Sequence, residues 1–324
     1  MKEYVWLTMV TLAEATIGVF VKLVGDNVPV FTLNFYRVLF AFIFLLAVVP
    51  FVSRDFWRIS KKNVKAVLII GFFIAMQISL FNIAMTMAPI ANVVIFWSIA
   101  PFFVFIFTKL FTKEKVYKEH VFIFIIAFIG ILMAKPLSGA EIWGNLIALV
   151  DGAVYAALVT YMRYEGTTEK TNLVCWYMLM ATIYLSPAIF IFGPGDITHM
   201  ISYPALGINI PVIVWVICLG VISTGVAYFF INLVLKKINA SVYSLVDIIV
   251  SPIVAAFFGF IIFSEVPSFN MIYGGALLLL SGFWLSNHMS GHHSWIYRLY
   301  HRYFGKSPSL VVGKNPIVEN KQIK

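Results

Sequence analysis

Charged side chains are scarce in this chain. Asp, Glu, Lys and Arg together make up 11% of its 324 residues, whereas a soluble globular domain carries roughly 25%. Cysteine is almost absent: Cys175 and Cys218 lie in separate apolar stretches, so neither a disulfide nor a metal site is indicated. The G-x-x-x-x-G-K-[ST] pattern of nucleotide-binding loops is also missing. These absences argue against a soluble domain, against ATP coupling within this chain and against a resident cofactor or metal.

Long apolar runs dominate the sequence instead. Apolar residues make up 61% of the chain, and a helix needs about 20 of them in succession to cross a bilayer. The runs are continuously apolar rather than alternating, which argues against a transmembrane β-barrel. We therefore predict an all-α polytopic membrane protein with ten transmembrane helices. They lie near residues 4–24, 30–51, 64–87, 91–112, 120–134, 142–162, 173–192, 210–235, 240–263 and 270–287.

The distribution of basic residues predicts the topology. If the N-terminus is cytoplasmic and ten helices alternate, all but three of the 23 Lys and Arg residues fall in cytoplasmic segments. The exceptions are Lys22, Arg37 and Lys135. The positive-inside rule then places both termini in the cytoplasm. Topology accounts for the net charge of +9, so we expect a multi-pass protein of the cytoplasmic membrane with no nucleic-acid partner.

The chain repeats a spacing in its two halves. Pro101 is followed by Glu114 thirteen residues later, and Pro252 is followed by Glu265 at the same spacing. Five helices per half is an odd number, so the second half enters the membrane from the opposite side. Inverted repeats of this kind occur in secondary transporters, with the substrate site near the midplane where the halves meet.

These halves define the predicted domain organisation. The first five-helix repeat covers residues 1–137 and the second covers residues 138–290. A basic cytoplasmic tail follows over 291–324, and the amphipathic pattern of 294–304 predicts a short helix on the membrane surface.

Local motifs resemble those of a known family. They are TLAEATIGVFVK in the first helix, FYRVLFA with Arg37 in the second, the two Pro-to-Glu spacings, and apolar runs around Gly130 and Gly282. Over about residues 4–288 the chain resembles the drug/metabolite transporter superfamily, specifically ten-helix proteins with two EamA-type halves. The resemblance implies a secondary transporter, with export as the direction. Glu14 and Asp247 depart from the family pattern, so no relative's substrate is carried over.

Three acids lie inside predicted membrane helices: Glu14, Asp151 and Asp247. Each has polar or small residues three or four positions away, on the same helical face. An acid at membrane depth is costly and is expected to face protein or water. One interpretation is a group that couples transport to protons or binds a cation. The other is a structural hydrogen-bond partner that locks two helices together.

Other residues complete the candidate site. Arg37 either reaches outward to water or pairs with an acid, and we expect a structural or gating salt bridge rather than a contact with a substrate carboxylate. Pro101 and Pro252 interrupt helix hydrogen bonding and act either as hinges or as passive bends. Polar and aromatic side chains suited to a small organic solute line the predicted pocket. They are Gln77, Trp97, Tyr155, Tyr228 and Asn232.

The combined prediction is a secondary active transporter for a small organic metabolite, such as an amino acid or an amine. Glu14 and Asp151 would couple protons or contact a cationic group. The bilayer, the solute and protons are the expected partners, and no catalytic residue is assigned. Two alternatives stay open: an intramembrane enzyme that uses buried carboxylates, and a membrane structural protein. The G-x-G-D pattern of intramembrane proteases occurs at 193–196, but in a predicted loop turn.

Overall fold

The fold was determined as a computed structural model of the chain. It describes residues 2–53, 56–57, 59–112, 122, 125–126, 129–130, 133, 141–165, 171–203, 208–235, 253–266 and 268–289. Asp247, Pro252, Glu114 and the basic tail lie outside these residues.

Helices account for nearly all of the described residues. The first half contains α1 (Lys2–Ala15), α2 (Ile17–Val24), α3 (Val30–Val52), α4 (Lys61–Met87), α5 (Ile90–Trp97) and α6 (Ala100–Thr112). The second half contains α7 (Ile142–Glu165), α8 (Thr171–Leu185), α9 (Pro187–Phe192), α10 (Val212–Gly220), a π-helix (Val221–Val226), α11 (Ala227–Leu235), α12 (Ile253–Phe263) and α13 (Phe269–Met289). A 3-10 turn, Gly25–Asn27, follows α2.

Six helical segments are long and apolar enough to cross a bilayer, so the predicted multi-pass class agrees with the structure. Each contains 21–25 residues. They are Val5–Asn27, Val30–Val52, Asn63–Met87, Ile142–Met162, Thr171–Phe192 and Val212–Val234. Three shorter apolar helices, Ile90–Val104, Ile253–Phe263 and Ile272–Ser281, fall within the fourth, ninth and tenth predicted spans.

Several spans are broken rather than continuous. The first span is interrupted at Thr16, whose hydroxyl donates to the carbonyl of Ala13 at 2.6 Å and so competes with the helical pattern. The fourth span breaks between Trp97 and Ala100. The eighth span contains the π-helix, in which the Thr224 hydroxyl donates to Leu219, five residues earlier, at 3.1 Å. Broken membrane helices are tolerated where protein surrounds the irregular backbone.

The described residues of this all-α protein contain β-structure at one place. Between α9 and α10 the strands β1 (Met200–Tyr203) and β2 (Ile208–Pro211) form an antiparallel hairpin. The hairpin lies in a connection between spans, where a strand pair does not expose its edges to lipid. We call this end of the helix bundle, which carries the hairpin and the turn Gly25–Asn27, the hairpin face.

The G-x-G-D pattern forms part of this connection and does not form a buried acid pair. Gly195 adopts a positive φ of 70°, and a Cβ on it would lie 2.8 Å from the carbonyl oxygen of Asn27. The amide of Asp196 donates to the same carbonyl at 2.8 Å. The Asp196 side chain is 60% exposed, so it does not form a catalytic pair at membrane depth.

Helices of the two halves pack directly against each other. Within the described residues, α4 packs against α7 and α8, α3 packs against α8 and α10, and α1 packs against α11. Glycine allows the closest approaches: a Cβ on Gly71 would lie 2.4 Å from the Cβ of Met180, and one on Gly220 would lie 2.8 Å from the carbonyl oxygen of Arg37. Small residues at helix contacts are a common route to close packing in membranes.

We predict that Gly71→Ala destabilises the protein. The new methyl group collides with the base of the Met180 side chain, and overpacking of this kind costs about 1–3 kcal/mol. Gly275→Ala is the matched control, since the nearest atom there is the tip of the Ile95 side chain at 3.1 Å. Thermal unfolding followed by size-exclusion chromatography should show a lower Tm for Gly71→Ala only. An unchanged Tm would show that the α4–α8 contact adapts without cost.

Candidate functional site

A cavity of about 50 Å³ lies between the two halves. A water molecule needs roughly 10–15 Å³ on the same scale, so the cavity holds a few waters and must widen to admit a larger solute. Both halves contribute to its wall. The lining residues are Glu14, Ala15, Ile17, Gly18, Arg37, Gln77, Phe81, Met85, Ile90, Val94 and Trp97 from the first half, and Tyr155, Ser223, Tyr228 and Ala255 from the second.

Glu14 reaches the cavity because of the break in the first span. It occupies the last turn of α1, two residues before Thr16, where the helix is interrupted. Gly18, on the predicted face of Glu14, also lines the cavity. Thr11, the third member of that face, donates its hydroxyl to the carbonyl of Leu7 at 3.1 Å. On this helical face, the acid Glu14 therefore lines the cavity and the hydroxyl of Thr11 does not.

Asp151 lies behind the cavity wall rather than on it. Its side chain is fully buried, and the Gln77 side-chain amide donates to Oδ2 at 3.3 Å. The second carboxyl oxygen, Oδ1, has no hydrogen-bond partner among the described residues. Asp151 thus faces protein and is not among the residues that line the cavity. Gln77 lines the cavity and separates it from Asp151, because α4 packs closely against α7.

Aromatic rings form one part of the wall. Trp97 ends α5 at the break in the fourth span, and its ring lies 5.0 Å from that of Tyr155 and 6.1 Å from that of Phe81, measured between centroids. The indole Nε1 of Trp97 is buried and has no hydrogen-bond acceptor among the described residues. This wall can therefore offer aromatic ring surface and the indole N–H of Trp97 to a solute.

Arg37 is buried inside the bundle, so of the two alternatives the structure excludes the one in which it reaches outward to water. Only 3% of its surface is exposed. Its Nε donates to the Thr224 hydroxyl and its Nη1 donates to Oδ1 of Asn82, both at 2.8 Å. Asn82 in turn donates to Oδ1 of Asn34 at 2.6 Å. Acceptors on two neighbouring helices thus bind two of the five N–H groups of the guanidinium.

The predicted salt bridge between Arg37 and an acid does not form among the described residues. Its hydrogen-bond acceptors in the described chain are neutral side chains. Asp151 and Glu14 lie close enough to act on the guanidinium through space. Within the described residues, Arg37 therefore contacts neutral partners and lies near two acids without a direct salt bridge.

The remaining predicted residues occupy different positions. Tyr228 lines the cavity, whereas Asn232, one turn further along α11, is buried away from it. Pro101 is the second residue of α6, after the break. The Trp97 carbonyl near this break faces Gly152, where a Cβ would approach within 3.0 Å. The end of α5 therefore packs closely against α7 at Gly152.

Sequence reasoning missed Ser223. Its hydroxyl forms a hydrogen bond of 2.7 Å with that of Thr16 and lines the cavity between the two halves. The available signal was the polar pair Ser223–Thr224 in an otherwise apolar run. In the part of the chain that the structure describes, no group of three or more His, Cys, Asp or Glu residues could hold a metal ion.

Comparison with known proteins agrees with this architecture. A structure described only as the crystal structure of a protein matches with a TM-score of 0.63 at 15% identity, covering 89% of this chain and 98% of that one. A likeness at this identity shows the fold alone.

Relatives with named functions are transporters. An uncharacterized transporter of Archaeoglobus fulgidus is 28% identical over 234 residues, which cover 69% of this chain and 78% of the relative. A riboflavin transporter of Brucella anthropi is 24% identical over 292 residues, covering 86% and 96%. A pseudopaline exporter of Pseudomonas aeruginosa is 22% identical over 236 residues, covering 72% and 78%.

The EamA-like transporter family model matches residues 1–134 and again residues 142–287. The two matches are of similar length. Together they extend over most of the sequence. The chain belongs to the EamA-like transporter family, within the drug/metabolite transporter superfamily.

Proposed function

We propose that the protein is a secondary active transporter that moves a small organic solute by alternating access through the cavity. The observation that carries this proposal is the cavity wall itself. Glu14, Arg37 and Gln77 from the first half meet Tyr155 and Tyr228 from the second half around one space. Charged groups at membrane depth are costly and are retained where they serve a pathway.

The charges near the cavity suggest how transport is coupled. Glu14 and Asp151 are two acids, and Arg37 is the one basic side chain among the lining residues. If both acids are ionised, these three described side chains together carry one excess negative charge. A proton or a cationic group of the solute can neutralise that charge, and burial makes neutralisation favourable. Glu14 would exchange directly with the cavity, and Asp151, which lies behind Gln77, would exchange when that side chain moves aside.

The topology completes the proposal. In the proposed topology, ten spans form two inverted repeats, 1–137 and 138–290. The protein would lie in the cytoplasmic membrane with both termini in the cytoplasm. The hairpin face would then be the outer face. Export is the proposed direction, and it rests on the family resemblance. The relatives are named for two different solutes, riboflavin and pseudopaline, so the substrate class stays at a small organic metabolite such as an amino acid or an amine.

Transport is favoured over the two alternatives by the position of Glu14. A structural protein would be expected to bury its acids in dry helix contacts, which holds for Asp151 but not for Glu14. An enzyme needs convergent catalytic groups, and the family and its named relatives point to transporters.

We predict that Glu14→Gln and Asp151→Asn each lower solute-driven proton movement in proteoliposomes by about tenfold or more. Hydrogen bonds to charged groups contribute about 1.5–3 kcal/mol, and 1.4 kcal/mol corresponds to a factor of ten. A metabolite screen by thermal shift would first supply the solute. Glu165→Gln and Asp196→Asn are the matched controls, since neither acid lines the cavity. Normal transport by both cavity variants would remove these acids from the mechanism.

We predict that Gln77→Leu impairs transport as Asp151→Asn does, because it removes the donor to Oδ2 and places an apolar group between the acid and the cavity. Ser79→Ala is the control on the same helix, since the Ser79 hydroxyl donates to its own backbone at Ala75. The double variant Gln77→Leu/Asp151→Asn should transport no worse than either single variant. Additive losses in the double variant would show that the two side chains act independently.

The topology is tested with cysteines introduced into a background in which Cys175 and Cys218 are replaced by alanine. An impermeant maleimide added to intact cells should label Ser202→Cys in the hairpin and should not label Ser53→Cys. Permeabilised cells should label both, which controls for reactivity. Labelling of both sites in intact cells would contradict the ten-helix topology.

A further inference from the structure

An ion pair joins the two halves at the hairpin face. Lys22 lies near the end of α2, and Glu265 follows α12 in the connection to α13. The ammonium of Lys22 contacts Oε1 of Glu265, and it also lies 5.8 Å from the centre of the Phe263 ring. The two side chains are only 23% and 17% exposed. Lys22 was an unexplained exception in the distribution of basic residues, and this contact accounts for its position.

The second carboxylate oxygen of Glu265 binds the start of a third helix, α5. Oε2 accepts a hydrogen bond of 3.0 Å from the backbone amide of Ile90, the first residue of α5. The residue before it, Pro89, provides no side-chain cap for the helix. The first amides of a helix need an acceptor and attract negative charge. Glu265 therefore caps α5 from the other half of the protein.

The start of α5, which Glu265 caps, also forms part of the cavity wall. Ile90 and Gly18 both line it, and a Cβ on Gly18 would lie 2.9 Å from Cγ2 of Ile90. The side chain of Ile90 is completely buried against α2. With Glu265 holding the amide of Ile90 and Lys22 holding Glu265, the start of α5 is pressed onto the first span at the end of the cavity nearest the hairpin face.

The connection that carries Glu265 has little freedom. Ser264 adopts a φ of 56°, which is uncommon for a residue other than glycine. The amide of Glu265 donates to the carbonyl of Gly259 at 3.1 Å. A Cβ on Gly259 would lie 2.9 Å from Oε2 of Glu265. The carboxylate is thus confined between α12 and the start of α5.

We propose that Lys22, Glu265 and the Ile90 amide form a latch that keeps the cavity closed toward the hairpin face, and that the latch must open for solute to pass on that side. This proposal rests on the proposed transport function. In that cycle the ion pair forms in the state closed at the hairpin face and separates in the opposite state. Lys22 and Glu265 are positioning residues, since they act through α5 rather than on the solute.

The test measures access to the cavity from each side. Ala255→Cys, a small change in the cavity wall, is placed in the background lacking Cys175 and Cys218. Its labelling by an impermeant thiol reagent is followed in right-side-out and inside-out vesicles. Ser202→Cys in the hairpin reports which vesicles expose the hairpin face.

The variants separate the two contacts of Glu265. Lys22→Met and Glu265→Gln each remove the ion pair, while the glutamine keeps an oxygen for the Ile90 amide. Each should raise labelling from the hairpin face by about fivefold, the shift expected for loss of one partly exposed ion pair, and lower labelling from the opposite face. The double variant should match the single variants. Glu265→Ala, which also removes the helix cap, should have a larger effect.

The controls distinguish the latch from general instability. His199→Gln changes an exposed contact with Asp196 on the same face, away from the cavity, and it should leave labelling unchanged. Equal labelling rates in the parent protein and in all latch variants would overturn the latch and leave the transport proposal standing. If Ala255→Cys were unreactive from both sides in every variant, the cavity would not be a pathway, and both proposals would fail.

Discussion

The arrangement of the two halves depends on one constraint: a polar atom at membrane depth must find its partner within the protein. Arg37 shows this most clearly, because its buried guanidinium takes one acceptor from each half, Asn82 and Thr224. Removing either acceptor would leave a donor on a buried charge unpaired, which is costly. The π-helix is part of the same solution, since Thr224 lies within it and Gly220 just before it packs on the Arg37 backbone.

The breaks in the membrane helices place chemistry at the cavity. Glu14 lies next to the break at Thr16, and Trp97 ends α5 where the fourth span is interrupted. Discontinuous helices line the substrate sites of many secondary transporters, because the interrupted backbone is stable only where it borders protein or a wet space. The same breaks leave α2 and α5 as short segments, which an ion pair such as that of Lys22 and Glu265 is able to hold or release.

Much of the candidate site was predictable from residue type and spacing. Glu14, Gln77 and Trp97 were singled out because polar and aromatic groups in apolar helices seek a common interior, and they line one cavity. The environments of individual side chains were not predictable. Asp151 shares the spacing logic of Glu14 but is hidden behind Gln77, because this depends on how closely α4 packs against α7. Ser223 joins the site only through its contact with Thr16 across the halves.

The sequence by itself determined the class of protein, the six long apolar spans and the family, because these follow from hydrophobicity and local motifs. Tertiary structure alone decided that Arg37 bonds to neutral side chains, that one of two similar acids faces the cavity, and that Lys22 meets Glu265. The physical reason is separation along the chain. Partners such as Lys22 and Glu265 lie 243 residues apart, and neither periodicity nor composition specifies which helices will bring such residues together.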